Sequence, residues 1–326
     1  MSDRPLAVHW RLAAWYFCYF AFVGAFSPYF TLYLKSLDLS AWAIGVLMSL
    51  MQVMRLVAPG LWGWLADHLG HRTAILRLSA LASVLGFVGF FLTRDFSGLF
   101  LAMALLTFFW SASLPLVEAL TLDHLEGRAE RYGRIRVWGS VGFICAVLGI
   151  GVWLDWAPLA SLLWICLGLL TGILACAWSL PEIAARPTVV AALPLRDSLR
   201  QPQVLALLLA CFLMSAAHGP LYVFLSIHLV DHGYGKAAVG AFWSLGVCAE
   251  ILVFMGMPRM MRAWSVRSIL MTAFALAVLR CLLIGWLADV LVLLLLAQVL
   301  HGATFGAYHA AAVAALNGWF PPRQQA

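Results

Sequence analysis

Ten long apolar runs constrain the fold of this 326-residue chain more than any other feature. A helix of about 20 apolar residues crosses the ~30 Å hydrocarbon core of a bilayer. The runs are continuous, whereas barrel strands alternate, and only helices and closed barrels satisfy their own backbone hydrogen bonds in lipid. We therefore predict an all-α polytopic membrane protein with spans at 10–34, 41–65, 73–93, 96–121, 135–154, 157–179, 203–229, 237–257, 268–287 and 290–316.

The composition excludes a soluble protein and a nucleic-acid-binding protein. Hydrophobic residues make up 64% of the chain and charged residues 10%, whereas a soluble domain carries about a quarter charged residues. The net charge is +6, but the basic residues stand in short clusters between the apolar runs and form no stripe. The expected surroundings are therefore a lipid bilayer, and no nucleic-acid partner is expected.

The distribution of basic residues predicts the orientation, because cytoplasmic loops carry an excess of Lys and Arg. With a cytoplasmic N-terminus, only Lys35, Arg94 and Lys236 of the 20 basic residues fall in loops on the opposite side. Arg55 and Arg280 fall within spans. We therefore predict that the N-terminus is cytoplasmic.

The longest hydrophilic segment, between the sixth and seventh spans, divides the chain. With an offset of 195 residues, Gly45-x-x-x-Ser49-Leu50 in the second span aligns with Gly240-x-x-x-Ser244-Leu245 in the eighth. Parallel repeats of six spans are a known transporter architecture. We predict a six-helix N-terminal half at 1–180, a cytoplasmic linker at 181–202 and a C-terminal half at 203–326.

The loop after the second span reads Gly63-Trp64-Leu65-Ala66-Asp67-His68-Leu69-Gly70-His71-Arg72. It resembles the signature loop of the major facilitator superfamily, Gly-x-Leu-Ala-Asp-x-x-Gly-x-Arg/Lys. Stretches at 114–120, 132–140 and 301–309 resemble the phenylpropionate-permease-like branch, which is related to oligosaccharide and nucleoside proton symporters. The family has twelve spans, so ten runs imply two parallel six-helix repeats, the second incomplete after its fourth helix.

The resemblance implies a proton-coupled secondary transporter in a bacterial inner membrane, acting as a monomer. Its partners would be protons and a small organic substrate, for which the branch indicates an aromatic carboxylate. Transport would proceed by alternating access of the two halves.

The signature loop implies a conformational latch built by Gly63, Asp67, Gly70 and Arg72. Gly63 would permit close helix contact and Gly70 a tight turn, while the Asp67 carboxylate can pair with an arginine. The alternative is an ordinary charged turn at the membrane surface. Asp123 and Glu126, farther along the chain, are interpreted as ordinary loop charges.

Ionisable residues within the spans supply candidates for proton coupling. A charge at the centre of a span costs on the order of 2.5–3.5 kcal/mol, so it tends to face a cavity or a partner. Glu250 lies near the middle of the eighth span and is the candidate proton carrier. Together with Arg280, His301 and His309 it resembles the network of sugar–proton symporters. The alternative is a static ion pair between helices.

Candidate substrate-binding residues are cations, an acid and aromatic rings on spans that line the cavity in this family. A carboxylate substrate needs a cationic partner, and Arg55, Arg136 and Arg280 are available. Glu118 is a candidate for the cavity wall, although it can also reach the headgroups. The aromatic candidates, for which ordinary packing is the alternative, are Tyr16, Tyr19, Trp110 and Tyr222.

Several chemistries are absent from the sequence. It contains no Gly-x-x-x-x-Gly-Lys-Ser/Thr loop, no His-Glu-x-x-His and no metal-ligand spacing of Cys and His, so we predict no enzyme, no cofactor and no metal. Two alternatives to the aromatic-acid symporter remain open. In the first, the chain is a sugar or nucleoside symporter or a drug exporter. In the second, it is a non-transporting membrane fragment.

Overall fold

The computed structural model describes residues 4–125, 131–182 and 201–319, and it contains ten helices long and apolar enough to cross a membrane. They coincide with the ten predicted runs, and the described ranges contain no strand. The predicted all-α membrane fold is therefore confirmed. Its helices are α1 (Arg4–Lys35), α2 (Ala41–Leu69), α3 (Arg72–Leu92), α4 (Phe96–Trp110), α5 (Ser113–Leu125), α6 (Tyr132–Trp156), α7 (Ser161–Ser179), α8 (Pro202–Asp231), α9 (Lys236–Ala263), α10 (Val266–Trp286), α11 (Leu291–His301) and α12 (Tyr308–Trp319).

Two spans are not regular α-helices. The fourth span breaks between α4 and α5, because Pro115 lacks the N–H that would donate to the carbonyl of Ser111. The tenth span contains a π-helical segment, Gly302–Ala307, between α11 and α12. There the Tyr308 N–H donates to the carbonyl of Ala303, five residues back. Such π-helical turns inside α-helices are frequent at functional sites.

The chain forms two compact units, Met1–Pro187 and Thr188–Ala326. The predicted linker at 181–202 falls around this division. Its residues 183–200 lie outside the described residues, whereas Pro181 and Glu182 are attached to the first unit. The Glu182 carboxylate accepts a 3.2 Å hydrogen bond from the backbone N–H of Thr73 in the first turn of α3, where the helix dipole favours a negative charge.

In the first unit, α1 packs mainly against α6 and α7. Trp15, Phe22 and Phe26 on α1 are fully buried. The backbone of α6 approaches closely at Gly24, where a Cβ atom would lie 2.7 Å from the carbonyl oxygen of Phe143. Small residues at such positions are the usual means by which membrane helices pack, since lipid provides no hydrophobic driving force between them.

Two arginines hold the C-terminal end of α7. Arg11 Nη1 donates to the carbonyl of Ser179 across 2.8 Å, and Arg77 Nη2 donates to the carbonyl of Leu180 across 2.8 Å. The last carbonyls of a helix have no partner within it, and the dipole favours cations there. These contacts join α1, α3 and α7 at one end of the first unit.

In the second unit, the tenth span packs against α9 and α10. A small apolar core joins all three, with Met257 from α9, Ile269 from α10, and Ala307 and Ala311 from the tenth span. This packing places the π-helical segment beside the middle of α9, where Glu250 lies.

Candidate transport sites

A buried acid and a histidine meet in the second unit. His301 Nε2 lies 3.7 Å from Glu250 Oε2, and both side chains are mostly buried. The contact depends on close packing, because a Cβ atom at Gly302 would lie 2.6 Å from the carbonyl oxygen of Ala249. The π-helical segment begins at this glycine. The structure thus brings together two of the four residues predicted for proton coupling.

Arg280 has a different partner from the one considered in the sequence. The guanidinium, on a residue only 4% exposed, instead donates from Nε to the carbonyl of Ala297 across 3.0 Å. Its Nη1 is buried without a hydrogen-bond partner in the described part of the chain. The side chain is therefore held beside α11, one turn before His301.

His309, the fourth predicted coupling residue, is exposed. The Phe305 ring lies between the two histidine rings, stacked on His301 at a centroid distance of 5.4 Å and on His309 at 6.1 Å. Tyr308 instead faces Phe274 on α10 at 5.9 Å. The tenth span thus presents one continuous stack of three rings, and its His301 end contacts the acid.

A buried polar cluster, partly missed by the sequence interpretation, surrounds Tyr222. The Tyr222 ring lies 6.4 Å from His301, 6.0 Å from Trp243 and 5.9 Å from His218. The His218 Nδ1 atom donates to the carbonyl of Met214 across 2.9 Å. The Nε2 atom of His218 and the amide nitrogen of Gln298 are buried without a partner among the described residues. The signal in the sequence was the polar residue type inside an apolar span.

The first unit holds an aromatic stack at its centre. Tyr19 is stacked between Trp15 at 4.9 Å and Trp110 at 4.7 Å, and the Arg55 guanidinium lies 5.5 Å from the Trp110 ring. Tyr16 donates to the hydroxyl of Thr121 across 3.4 Å, because that hydroxyl itself donates to the carbonyl of Val117. The sequence had marked Trp15 only as part of the resemblance, in the stretch Trp15-Tyr16-Phe17, and it had not marked Thr121.

The aromatic and charged residues predicted for the substrate site differ in their exposure. Tyr16, Tyr19 and Trp110 are at most 3% exposed, so they have no free face for a ligand in this conformation. Their neighbours are accessible: Arg55 is exposed, and Arg136 and Glu118 are half-buried. Arg136 lies 3.9 Å from the centroid of the Phe20 ring, and Glu118 accepts a 3.2 Å hydrogen bond from the Tyr132 hydroxyl.

The signature loop contains one arginine between two acids. Arg72 Nη2 donates to Asp67 across 2.9 Å, and Nη1 donates to Asp123 across 2.8 Å. Asp123 was interpreted as an ordinary loop charge, whereas the structure places it in an ion pair. Gly70 ends α2 in the left-handed region at φ 69°, as the predicted turn requires.

The close helix contact expected at Gly63 is not found among the described residues. A Cβ atom there would meet no atom within 4 Å. The reason is that Gly63 borders a cavity of about 120 Å³, whose other walls include Pro59, Asp67, Arg72 and Pro115. Within its own unit, the glycine therefore leaves space and makes no tight contact.

Ten membrane-capable helices, ionisable side chains inside them and a charge-bridged loop between the second and third spans define a membrane transporter. The family model described as "MFS_1 like family" matches residues 9–326. The chain belongs to this family of major facilitator transporters, and it is a transporter of a small solute, not an enzyme. Within the described residues, no group of three or more His, Cys, Asp or Glu side chains could hold a metal ion.

Two curated relatives and two solved structures illustrate the similarity. The chain is 30% identical over 313 residues to the "Probable 3-phenylpropionic acid transporter" of Escherichia coli (strain K12), covering 93% of this chain and 80% of the relative. It is 36% identical over 141 residues to the "Maltose permease" of Geobacillus stearothermophilus, covering 43% of this chain and 36% of the relative.

The solved structures share the fold at low identity. The nucleoside transporter NupG matches with a TM-score of 0.85 and 16% identity, over 98% of this chain and 84% of the other. A bacterial homologue of the human lysosomal transporter Spinster matches with a TM-score of 0.74 and 15% identity, over all of this chain and 78% of the other.

Proposed function

We propose that this protein is a proton-coupled secondary transporter of an aromatic carboxylate that works by alternating access of its two halves. The observation that carries the proton coupling is the 3.7 Å approach of His301 to Glu250 inside the membrane spans. A buried carboxylate is costly unless it is neutralised or paired. An acid that alternates between these two settings takes up a proton in one and releases it in the other.

In this proposal Glu250 carries the proton and His301 is its switchable partner. Arg280, on α10, acts on the tenth span, which carries His301. Its hydrogen bond to the carbonyl of Ala297 fixes the turn of α11 that precedes His301. His309 is exposed at the far end of the ring stack. It is the candidate residue that links the conformation of the tenth span to the surrounding solvent. The Asp67–Arg72–Asp123 bridge is the proposed latch.

The proposed substrate class rests on a relative and on the first unit. The relative from Escherichia coli is named as a probable transporter of 3-phenylpropionic acid, an aromatic carboxylate. Arg55 and Arg136 are accessible cations next to aromatic rings, which suits a ligand with a carboxylate and a ring. We also propose a bacterial inner-membrane location with a cytoplasmic N-terminus, from the distribution of basic residues.

The test is transport of labelled 3-phenylpropionate by the purified chain in liposomes with an imposed proton gradient. The wild type is expected to accumulate the acid above its outside concentration. Glu250→Gln is expected to abolish this uphill accumulation but to preserve counterflow exchange, because Gln resembles the protonated acid. Asp289→Asn, which changes an exposed carboxylate in the loop between α10 and α11, is the matched control and should behave as wild type.

Uphill accumulation by Glu250→Gln would place the proton site elsewhere, and Glu118 and His309 would be tested next. Loss of both accumulation and counterflow would show that Glu250 serves substrate binding or folding.

A sugar symporter is the second candidate, because the chain is 36% identical over 141 residues to a protein named maltose permease. Labelled maltose in the same liposomes tests it: uptake of maltose without uptake of 3-phenylpropionate would replace the aromatic-acid proposal. Uptake of neither, and no efflux of either from preloaded liposomes, would exclude both substrates and direct the test to a nucleoside or a drug.

A further inference from the structure

A groove runs along the surface of the first unit between α1 and α6. It has a volume of about 240 Å³ and is lined by Trp10, Ala13, Ala14, Phe17, Cys18 and Trp138. Its lining is almost wholly apolar, and the small alanines leave the space between the larger rings. We call it the α1–α6 groove. None of its residues belongs to the proposed coupling, substrate or latch sites.

Two tryptophans stand at one end of the groove. Trp10 is 61% exposed, and its ring meets that of Trp138 edge to face at a centroid distance of 5.7 Å. Tryptophans with exposed rings near the ends of spans lie at headgroup level. The first and fifth spans run in the same direction, so both tryptophans mark the same membrane surface. Below them the groove extends along Phe17 into the hydrocarbon region.

Two cations continue the face of α6 beyond Trp138. Arg134 and Arg131 precede Trp138 by 4 and 7 residues, a spacing that places all three on one face of a helix. Arg131 has helical backbone angles of φ −84° and ψ −16°, so this periodicity holds up to it. Both arginines are exposed. Along the membrane normal, the groove is therefore apolar in its deepest part, is flanked by two tryptophan rings near the membrane surface, and has exposed cations beyond them.

We propose that the α1–α6 groove binds an anionic phospholipid of the leaflet that faces Arg131 and Arg134. One acyl chain occupies the space over Ala14 and Phe17, the two tryptophans flank the glycerol region, and the two guanidinium groups bind the phosphate. An anionic headgroup fits because basic clusters next to membrane helices attract anionic lipids, and the exposed side chains at this end are cations. The lipid binds the folded protein, so it stabilises the first unit by mass action.

The experiment measures the unfolding temperature of the purified full chain in detergent with added dioleoyl-phosphatidylglycerol or dioleoyl-phosphatidylcholine. Both lipids have the same acyl chains, so their difference isolates the headgroup charge. Phosphatidylglycerol is expected to raise the unfolding temperature more than phosphatidylcholine, and native mass spectrometry is expected to retain one more phosphatidylglycerol than phosphatidylcholine. Inorganic phosphate at the same concentration is expected to produce no rise.

Variants separate the two parts of the site. The double variant Arg131→Gln, Arg134→Gln should lose the extra rise with phosphatidylglycerol but keep the response to phosphatidylcholine. Ala14→Phe fills the groove with the cations intact, and it should lose the retained lipid. Arg94→Gln, an exposed arginine in the loop between α3 and α4, is the control and should respond as wild type.

Three results would overturn the proposal. Equal rises of the wild type with the two lipids would do so without any variant. Inorganic phosphate that reproduces the rise would assign the cations to a free anion. Equal loss in the double variant and in Arg94→Gln would show a diffuse effect of surface charge.

Discussion

Arg72 and Asp123 form a 2.8 Å ion pair that ties the start of α3 to the end of the fourth span. The same guanidinium also holds Asp67 at 2.9 Å. The Asp67 side chain is 65% exposed and that of Asp123 is 27% exposed, so solvent screens the second pair less. The bridge joins α2, α3 and α5 at one membrane surface.

The two acids should therefore differ in their effect on stability. We expect Asp67→Asn to lower the free energy of unfolding by ~0–1 kcal/mol, as for exposed ion pairs. Asp123→Asn should lower it more, because the partly buried Arg72 loses its better shielded partner. Thermal unfolding in detergent measures both variants. A larger loss for Asp67→Asn than for Asp123→Asn would contradict this assignment.

The same variants test the latch. Asp67→Asn should remain in the membrane and slow the initial rate of transport, because the charge pairing is lost while the Gly70 turn remains. A wild-type rate in both Asp67→Asn and Asp123→Asn would show that the bridge serves the turn alone.

Replacement of Gly302 should disturb the approach of the tenth span to α9. In Gly302→Ala, the new Cβ atom would lie 2.6 Å from the backbone oxygen of Ala249, which cannot rotate away. Overpacking of this kind costs about 1–3 kcal/mol. The unfolding temperature should fall, and uphill accumulation should fall with it because Glu250 and His301 separate. Gly256→Ala on α9, where a Cβ atom meets nothing within 4 Å, is the control.

Removal of the buried guanidinium should separate stability from function. In Arg280→Met, the loss of a buried charge with an unpaired Nη1 offsets the loss of its hydrogen bond to Ala297. We expect an unchanged or higher unfolding temperature together with loss of uphill accumulation. The control is Arg267→Met, an exposed arginine on the same helix. A large fall in unfolding temperature in Arg280→Met alone would make the guanidinium a structural element.

Acid should weaken the cap of α4. The hydrogen bond from the Thr93 hydroxyl, followed by that from the Gly98 N–H, lowers the pKa of the Asp95 carboxyl from its ordinary value. A group with a lowered pKa in the folded state contributes stability above its ordinary pKa of about 3.9, and this contribution is lost as the pH falls through the folded value.

The measurement is the unfolding temperature between neutral pH and about pH 3. Asp95→Asn should keep the cap at neutral pH, because Asn is also a good N-cap, and should show a weaker fall in acid than wild type. Asp289→Asn should keep the wild-type fall. An identical acid response in Asp95→Asn and wild type would exclude this contribution.

Much of the fold could be predicted from the order of apolar and polar residues. The ten spans follow from run length alone, because lipid leaves a continuous apolar run no other stable state than a helix. The break of the fourth span follows locally from Pro115. The π-helical segment did not follow in this way: it occurs where the tenth span passes the backbone of Ala249, and that contact is made by another helix.

For the candidate sites, the sequence determined which residues to consider, and the tertiary structure decided their partners. Residue type and depth in a span marked Glu250, Arg280 and His301, because a charge inside the membrane always needs a partner. Which partner it finds depends on helix rotation and on close packing between spans far apart in sequence. Three contacts are therefore known only from the packed structure. Arg280 donates to the carbonyl of Ala297, His301 lies next to Glu250, and Asp123 is a second acid paired with Arg72.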